Sequence, residues 1–213
     1  MWNVRWRKTG KEIQKMNEMD KTIDYYNRNA EKFAAGTLNV DFGKIQDLFL
    51  NKLPAGACIL DFGCGAGRDT KYFMERGFQA EAIDGSGELC KIARGYTGNQ
   101  VKHQLFQELD ETEKYHGIWA CASLLHVPGA ELDSVFQKME KALKKDGILY
   151  VSFKYGTFEG ERNGRYFTDM TEDTLKELTE KIPNLVQEEQ WITSDVRPGR
   201  EDEKWLNIIL RKQ

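Results

Sequence analysis

The feature that most constrains the fold is a glycine-rich turn that joins a short apolar run to an amphipathic stretch. Residues 59–61 (Ile-Leu-Asp) lead directly into 62–67 (Phe-Gly-Cys-Gly-Ala-Gly), and Arg68 and Asp69 follow. A tight turn from strand to helix needs positive φ angles, which glycine adopts readily, and it lets backbone N–H groups approach a ligand closely. The segment therefore predicts a β-strand, a ligand-binding turn and a helix in succession.

Short apolar runs alternate with amphipathic stretches along the chain after this point, a pattern typical of a parallel sheet with helices on both faces. Strands are predicted at 57–61, 79–83, 101–106, 117–122 and 147–153, and helices at 68–76, 86–95 and 131–144. Beyond these, a helix at 171–181 precedes strands at 186–196 and 204–211, which a turn-forming segment joins into a hairpin. The sequence thus predicts βαβ units followed by a β-hairpin.

The amino-terminal part of the chain carries apolar residues at helical spacing rather than strand-like runs. Ile23, Tyr26, Ala30 and Phe33 form one such series, and a second runs up to Leu53. A length of 213 residues is compatible with a single core. We therefore predict one domain over 1–213, with an N-terminal helical cap at 1–53 and an α/β core at 54–213.

Composition narrows the class of protein. Hydrophobic residues at 40% and charged residues at 31% are ordinary for a globular chain, and the net charge of −3 supplies no basic field for nucleic acid or anionic lipid. The first residues are too polar for a secretion signal, and no apolar run approaches the ~20 residues that span a bilayer. We therefore expect a cytoplasmic protein with neither a nucleic-acid nor a membrane partner.

The cysteines and histidines do not predict a metal site. Four cysteines show no C-x-x-C spacing, and the histidines are scattered at positions 103, 116 and 126. Structural zinc sites need closely spaced ligands of these types. We therefore predict no metal.

The spacing of the glycines argues against a nicotinamide cofactor. A dinucleotide fingerprint reads G-x-G-x-x-G, whereas here Gly67 comes one residue early and Arg68 occupies the expected glycine position. Asp84 ends the next predicted strand, where an acidic side chain can accept hydrogen bonds from both hydroxyls of a ribose. These residues favour a different nucleoside-containing ligand.

The whole pattern resembles the class I S-adenosylmethionine-dependent methyltransferases. The resemblance rests on the Asp-x-Gly-x-Gly-x-Gly segment that begins at Asp61 and on the acid at position 84, and it covers roughly residues 22–211. Further matching segments are 25–33, 67–69, 82–86, 120–128 and 152–156. The chain is most similar to a bacterial subgroup often labelled tellurite-resistance-type or methyltransferase-domain proteins.

The resemblance implies an α/β fold of the Rossmann-like class I methyltransferase type and a set of cofactor-binding residues. The fold has a seven-stranded, mostly parallel sheet in the order 3-2-1-4-5-7-6, with strand 7 antiparallel and helices on both faces. The residues implied to bind S-adenosyl-L-methionine are Tyr26, Asp61, Gly63, Gly65, Arg68, Asp84, Gly85, Ser86, Phe106, Gln107, Ser123 and Leu124. Of these, Asp84 would hold the ribose, Phe106 and Gln107 the adenine ring, and Ser123 and Leu124 would lie near the sulfonium.

The remaining cofactor contacts concern the methionine end, and two of them have structural alternatives. The resemblance places Asp61 near the amino group, with Gly63 and Gly65 lining this part of the cofactor. Arg68 or Tyr26 would suit its carboxylate. Arg68 could instead brace the turn through Asp69 or Asp84, and Tyr26 could belong to the core of an amphipathic helix.

Residues beyond the fourth and fifth strands are candidates for catalysis and for binding the methyl acceptor. If the acceptor must lose a proton, His126 is the nearest candidate base, although a hydrogen-bonded loop histidine is the alternative. Five cationic and aromatic side chains are predicted to bind a small, anionic acceptor, namely Lys154, Tyr155, Arg162, Arg165 and Arg197. The arginines could equally form surface ion pairs with Glu159, Glu161 and Glu201.

The sequence leaves a second function open, a protein that binds S-adenosylmethionine as a sensor or partner subunit without catalysing transfer. Nucleic-acid methylation is disfavoured because the fourth strand is followed by Ser123-Leu-Leu-His126. Neither an Asn/Asp-Pro-Pro-aromatic tetrad nor a Pro-Cys pair occurs there. The prediction is methyl transfer to a small molecule.

Overall fold

The computed structural model describes residues 21–197 and 199–213. Residues 1–20, which include the start of the predicted cap and the segment judged too polar for a secretion signal, lie outside the described part. The strands are β1 Cys58–Phe62, β2 Gln79–Asp84, β3 Val101–His103, β4 Tyr115–Ala120, β5 Leu143–Lys154, β6 Glu159–Arg162, β7 Arg165–Thr168, β8 Leu185–Ser194 and β9 Lys204–Lys212. The helices are residues 21–28 (α1), α2 Ala30–Thr37, α3 Gly43–Leu50, α4 Arg68–Glu75, α5 Gly87–Thr97, α6 Gly129–Ala142 and α7 Glu172–Glu180.

Seven of the strands form one sheet in the order β3-β2-β1-β4-β5-β9-β8. Strands β1 to β5 pair in parallel, whereas β9 is antiparallel to both β5 and β8. This confirms the predicted Rossmann-like fold. It also confirms the predicted strand order, in which the last strand of the chain, β9, lies inside the sheet and not at its edge. The strand order reverses between β1 and β4, and ligands on such sheets bind beyond the carboxyl ends of the strands at that point.

The sheet is buried on both faces at its centre and exposed at one edge. Four of the five residues of β1 are buried, whereas β8 buries only its first residue, Leu185, because it lies at the edge. On one face, Trp119 stacks on Tyr150 with ring centroids 4.0 Å apart and packs against Phe49 and Phe73. Fully burying side chains of this size contributes ~1.5–3 kcal/mol each, so the central strands form a rigid base for the site.

Two predicted strands of the parallel part of the sheet end earlier than the apolar pattern indicates. Strand β3 ends at His103, where the Gln104 N–H makes the last ladder bond, at 3.0 Å, to the carbonyl of Asp84, and residues 106–108 then form a 3₁₀ turn. Strand β4 ends at Ala120, and Ala122 adopts a φ of +50°. Both departures carry side chains out of the sheet at its carboxyl edge.

The region after α6 also differs from the prediction. Helix α6 ends at Ala142 and β5 begins at once, so residues 145–146, which the prediction left between helix and strand, form an irregularity within β5, with Asp146 at a φ of +62°. Strands β6 and β7 were not predicted. They are joined by Asn163 and Gly164, both at positive φ, which is the two-residue turn that Asn-Gly favours.

None of the helices in the described part of the chain combines the length and apolar character needed to cross a bilayer. Within the same ranges, no group of three or more histidine, cysteine or acidic side chains is placed to hold a metal ion.

Candidate functional site

The glycine-rich turn passes very close to the strand beside it. Gly63 has a φ of +90°, and a Cβ atom at this position would lie 2.4 Å from the Cβ of Ser123. Ser123 cannot easily move away because its hydroxyl donates a 2.6 Å hydrogen bond to the carbonyl of Phe62. Only glycine fits here, so the turn after β1 and the turn after β4 together form one narrow wall.

Asp84 is held at the end of β2 by the turn. Its two carboxylate oxygens accept hydrogen bonds from the backbone N–H groups of Gly65, at 2.8 Å, and Ser86, at 2.7 Å. Burial raises the pKa of Asp84 to about 6, while these two hydrogen bonds oppose the rise. The group is therefore mostly ionised at neutral pH and can accept hydrogen bonds from ligand hydroxyls.

A cavity of about 700 Å³, partly open to solvent, lies beside this carboxylate and is called cavity A. Apolar side chains such as Ile23, Leu105 and Phe106 line it together with Gln107. The Gln107 amide nitrogen donates to Glu131 at 2.9 Å, which leaves its oxygen buried and without a partner among the described residues. Cavity A thus offers apolar walls for a planar ring and one polar acceptor.

A second cavity of about 1110 Å³, called cavity B, adjoins the first. The two share wall residues that include Tyr26, Gly63 and His126. Cationic side chains from three parts of the chain line cavity B, namely Arg68, Lys154, Arg165, Arg197 and Arg200. The shared wall means that a ligand in cavity A can meet a second ligand in cavity B.

Arg68 lies in a buried network centred on Asp69. Its Nε and Nη2 atoms donate to the two carboxylate oxygens of Asp69 at 2.7 and 3.0 Å. Gln46 and Trp119 donate to the same carboxylate at 2.7 and 2.8 Å. Arg68 therefore braces the turn through Asp69, as the structural alternative expected, and it also lines cavity B.

Asp61 is buried beneath the turn. Its carboxylate accepts a 2.5 Å hydrogen bond from the hydroxyl of Thr70. Burial, reinforced by the negative charge of Asp69, raises the pKa of Asp61 to about 8. This acid therefore keeps its proton at pH values where an exposed aspartate is ionised.

Tyr26, His126 and Arg165 meet where the two cavities join. The hydroxyl of Tyr26 lies 2.7 Å from Nε2 of His126 and 3.3 Å from Nη1 of Arg165. The Arg165 guanidinium lies over the ring of Tyr25, 4.6 Å from its centroid, and over Phe167 at 5.0 Å. Its Nε atom is buried and has no hydrogen-bond partner among the described residues.

The other predicted acceptor-binding arginines are paired, but with aspartates rather than with the glutamates considered above. Arg162 makes a double hydrogen bond to Asp169, at 3.1 and 2.9 Å, and lies outside both cavities. Arg197 pairs with Asp195 at the rim of cavity B. Arg165 therefore differs from both, because none of the ion pairs within the described ranges involves it.

Of the remaining predicted residues, some line one of the two cavities and others do not. Lys154 lines cavity B and pairs with Glu203, whereas Tyr155 is 40% exposed and lines neither cavity. Gly85, Ser86, Phe106 and Ser123 line cavity A as expected from the resemblance. Leu124 packs in the core, and Gly65 contributes its N–H to Asp84 rather than a wall.

Sequence reasoning missed two features of the site. Arg200, in the same hairpin loop as Arg197, lines cavity B and pairs with Glu203 at 2.6 Å. Asn27 on α1 accepts hydrogen bonds from the Ser86 hydroxyl and the Glu88 N–H, at 2.7 and 3.2 Å, and so fastens α1 across the site. The second arginine of the Arg-Pro-Gly-Arg segment was a visible signal, whereas nothing in the sequence pattern marked Asn27.

The chain is similar in sequence and in fold to known methyltransferases. The sequence model of a family described as "Methyltransferase domain" matches residues 26–191. A ubiquinone biosynthesis O-methyltransferase of Xanthomonas axonopodis pv. citri is 33% identical over 106 residues, 46% of this chain and 44% of that protein. The aligned part thus spans less than half the length of this curated relative.

Two solved structures share the fold at low sequence identity. One is a 1,6-didemethyltoxoflavin-N1-methyltransferase of Burkholderia thailandensis, with a TM-score of 0.75 and 19% identity over 99% of this chain and 93% of that one. The other is a TehB-like S-adenosylmethionine-dependent methyltransferase of Corynebacterium glutamicum, with a TM-score of 0.66 and 19% identity over 90% and 98%. Because the family model covers most of the sequence, the chain belongs to the methyltransferase-domain family.

Proposed function

We propose that this chain transfers the methyl group of S-adenosylmethionine to a small, anionic acceptor bound in cavity B. The residues of cavity A suit the nucleoside part of the cofactor. Asp84 presents a carboxylate for ribose hydroxyls, and the unpartnered oxygen of Gln107 can accept from an amino group such as that of adenine. Gly63 lines both cavities, so its backbone can approach a ligand closely.

The methionine end of the cofactor would extend from cavity A toward cavity B. Asp61 lies beneath this path, and a nearby ammonium group would favour its ionised form. When bound, S-adenosylmethionine supplies a methyl group on a positively charged sulfur, open to direct attack by a nucleophile. The protein then contributes chiefly alignment and exclusion of water, worth up to ~7–11 kcal/mol in well-aligned systems.

The observation that carries the acceptor proposal is the state of Arg165. Its Nε is buried and has no hydrogen-bond partner, and the guanidinium pairs with no carboxylate among the described residues. A carboxylate or phosphate of the acceptor could accept hydrogen bonds from these unused donors. Rings around it, including Tyr26 and Phe167, favour an acceptor with an unsaturated or aromatic body. The curated relative named above is an O-methyltransferase and the Burkholderia enzyme an N1-methyltransferase of a small molecule, which supports an acceptor of this size.

The test uses 3,4-dihydroxybenzoate, which combines a carboxylate with nucleophilic hydroxyls, and its neutral counterpart 3,4-dihydroxybenzamide. Calorimetry should show S-adenosylhomocysteine binding to the protein, and the acid should bind this complex at least about tenfold more tightly than the amide, since charge-assisted hydrogen bonds exceed ~1.5 kcal/mol. Mass spectrometry should detect methylated acid when S-adenosylmethionine is supplied. A protein that only sensed the cofactor would bind it and form no product.

Two variants test whether the preference for the acid depends on the arginine in the pocket. One is Arg165→Gln, and the control is Arg76→Gln at the surface. Arg76 pairs with Asp47 on the exposed side of α4 and lines neither cavity. Arg165→Gln should abolish the preference for the acid, and Arg76→Gln should retain it. Equal affinity of the unaltered protein for acid and amide would contradict the anionic acceptor.

A further inference from the structure

The hydrogen bonds of His126 determine which of its ring nitrogens carries the proton. Nδ1 lies 2.6 Å from the backbone carbonyl oxygen of Tyr166, which can only accept, so Nδ1 must donate. In a neutral imidazole Nε2 is then the acceptor, and the hydroxyl of Tyr26 donates to it at 2.7 Å. Both ring nitrogens are therefore engaged: the His126 ring lines both cavities, but its Nε2 atom is bonded to the Tyr26 hydroxyl.

The imidazole is neutral at physiological pH. Burial lowers the pKa of His126 to about 4, and repulsion from Arg165 and Arg162 adds to the decrease. Neutral imidazole with a fixed tautomer is a proton acceptor at Nε2. The only group that the described structure places on that atom is the hydroxyl of Tyr26.

Tyr26 lies at the wall shared by the two cavities and keeps its own proton. Burial raises its pKa, so the hydroxyl is not ionised in the resting protein. Its hydrogen is directed at His126, while the oxygen accepts a long hydrogen bond from Arg165 at 3.3 Å. The oxygen retains capacity to accept one more hydrogen bond, and that capacity is adjacent to both cavities.

We propose that Tyr26 is a catalytic residue: it accepts the proton of the methyl acceptor while passing its own hydroxyl proton to Nε2 of His126. The proposal rests on the proposed function and specifies the acceptor as a hydroxyl or an N–H group that loses a proton on methylation. His126 acts through Tyr26 and is a positioning and proton-holding residue. This places Tyr26 between the acceptor and the histidine that the sequence indicated as the base.

The proton transfers balance. The O–H or N–H bond of the acceptor breaks as a new O–H bond forms on Tyr26, and the original Tyr26 O–H bond breaks as the Nε2–H bond forms. In the same step the electron pair of the acceptor atom forms the bond to the methyl carbon, while the carbon–sulfur bond breaks and its electron pair stays on the sulfur of S-adenosylhomocysteine. His126 returns its proton to water after the product leaves. A weak base suffices because the proton on an oxygen or ring nitrogen becomes strongly acidic as that atom gains a methyl group.

Arg165 connects this relay with the acceptor-binding region. The same guanidinium contacts the Tyr26 oxygen and has the unused donors described above. An acceptor whose anionic group pairs with Arg165 would therefore place its body next to the Tyr26 oxygen. The positive charge also stabilises the partial negative charge that Tyr26 carries during the transfer.

The first test is independent of turnover. Nitrogen-15 resonances of the His126 ring in the S-adenosylhomocysteine complex should show a protonated Nδ1 and an unprotonated, hydrogen-bonded Nε2 at pH 7. Tyr26→Phe should shift the Nε2 signal toward that of a free imidazole nitrogen. A proton on Nε2 in the unaltered protein would overturn the relay, because that atom could not then accept.

The second test measures methylation of 3,4-dihydroxybenzoate. Tyr26→Phe and His126→Gln should each lower kcat by about 100-fold or more, within the range of general acid–base catalysis, while KM changes little. Glutamine can still accept a hydrogen bond from Tyr26 but cannot take up a proton, so it separates orientation from proton acceptance. The kcat of both variants should rise with pH as the acceptor ionises in water, whereas that of the unaltered enzyme should vary less.

The control is Tyr72→Phe, which removes a tyrosine hydroxyl bonded to Asp47 outside both cavities. It should retain the kcat and the pH profile of the unaltered enzyme. A His126→Gln variant with unaltered kcat would refute the relay alone. A protein that bound no S-adenosylhomocysteine would instead refute the proposed function.

Discussion

Replacing Gly63 by alanine tests how closely the turn after β1 approaches the turn after β4. A non-glycine residue in the left-handed region costs about 1–2 kcal/mol, and Gly63 has a φ of +90°. The new Cβ would also lie 2.4 Å from the Cβ of Ser123, well inside the ~3.5–4.0 Å of carbon contact. Overpacking of this kind costs about 1–3 kcal/mol more, so the free energy of unfolding should fall by about 2–5 kcal/mol in total.

Gly77→Ala provides the matched control for the backbone term. Gly77 has a similar φ of +82°, but a Cβ there would meet no atom within 4 Å. Urea unfolding followed by tryptophan fluorescence should therefore show a loss of only about 1–2 kcal/mol for Gly77→Ala. Calorimetry should find S-adenosylhomocysteine affinity retained in Gly77→Ala and strongly reduced in Gly63→Ala. If both variants lost the same free energy of unfolding, the close approach inferred at Gly63 would be wrong.

Three further predictions concern the acids, the adenine side and the core. Since burial raises the pKa values of Asp84 to about 6 and Asp61 to about 8, above the 3.8 of an unfolded aspartate, the folded empty protein holds protons that the unfolded chain releases. Its free energy of unfolding should therefore fall as pH rises from about 4 to 8, and more steeply above about 6.5, because the lowered pKa of His126 opposes the fall below that pH. A flat urea-denaturation profile over the whole range would contradict this. Gln107→Leu removes the unpartnered amide oxygen and should weaken S-adenosylhomocysteine binding by about threefold to tenfold in calorimetry, the worth of one hydrogen bond; unchanged affinity would exclude that contact. Trp119→Phe keeps an aromatic ring beside Tyr150 but removes the 2.8 Å hydrogen bond to Asp69, so unfolding should become easier by about 2–4 kcal/mol in urea, and a change below about 0.5 kcal/mol would refute that role.

The elements of the core could be predicted because their signals are local. The glycines at 63–67 report a turn that needs positive φ, and Gly63, Gly65 and Gly67 all have it. The apolar run of β1 reports a strand covered on both faces. The order of the strands came from family resemblance, since pairing between distant segments leaves no comparable mark on a single sequence.

The boundaries were less accurate where tertiary contacts override the local pattern. Leu105 and Phe106 are apolar and were predicted to extend the strand, yet the chain leaves the sheet after Gln104 and turns into the 3₁₀ segment at 106–108. The hairpin of β6 and β7 was overlooked although Asn163 and Gly164 carry its turn signal. The Asn-Gly turn signal was present in the sequence, but the strands on either side of it are too short to show a clear strand pattern.

The sequence by itself determined a strand–turn–helix unit, a following acid and a supply of cationic side chains beyond the fifth strand, because each depends on residues that are neighbours along the chain. Only the tertiary structure decided how those charges are used. It pairs Arg162 with Asp169, gives Arg165 no carboxylate partner among the described residues, and brings Tyr26 to His126 across 100 positions of sequence. The reason is physical: backbone conformation follows from local sterics, whereas the partner of a charged or hydrogen-bonding side chain depends on which distant segments the fold places within about 3 Å of it.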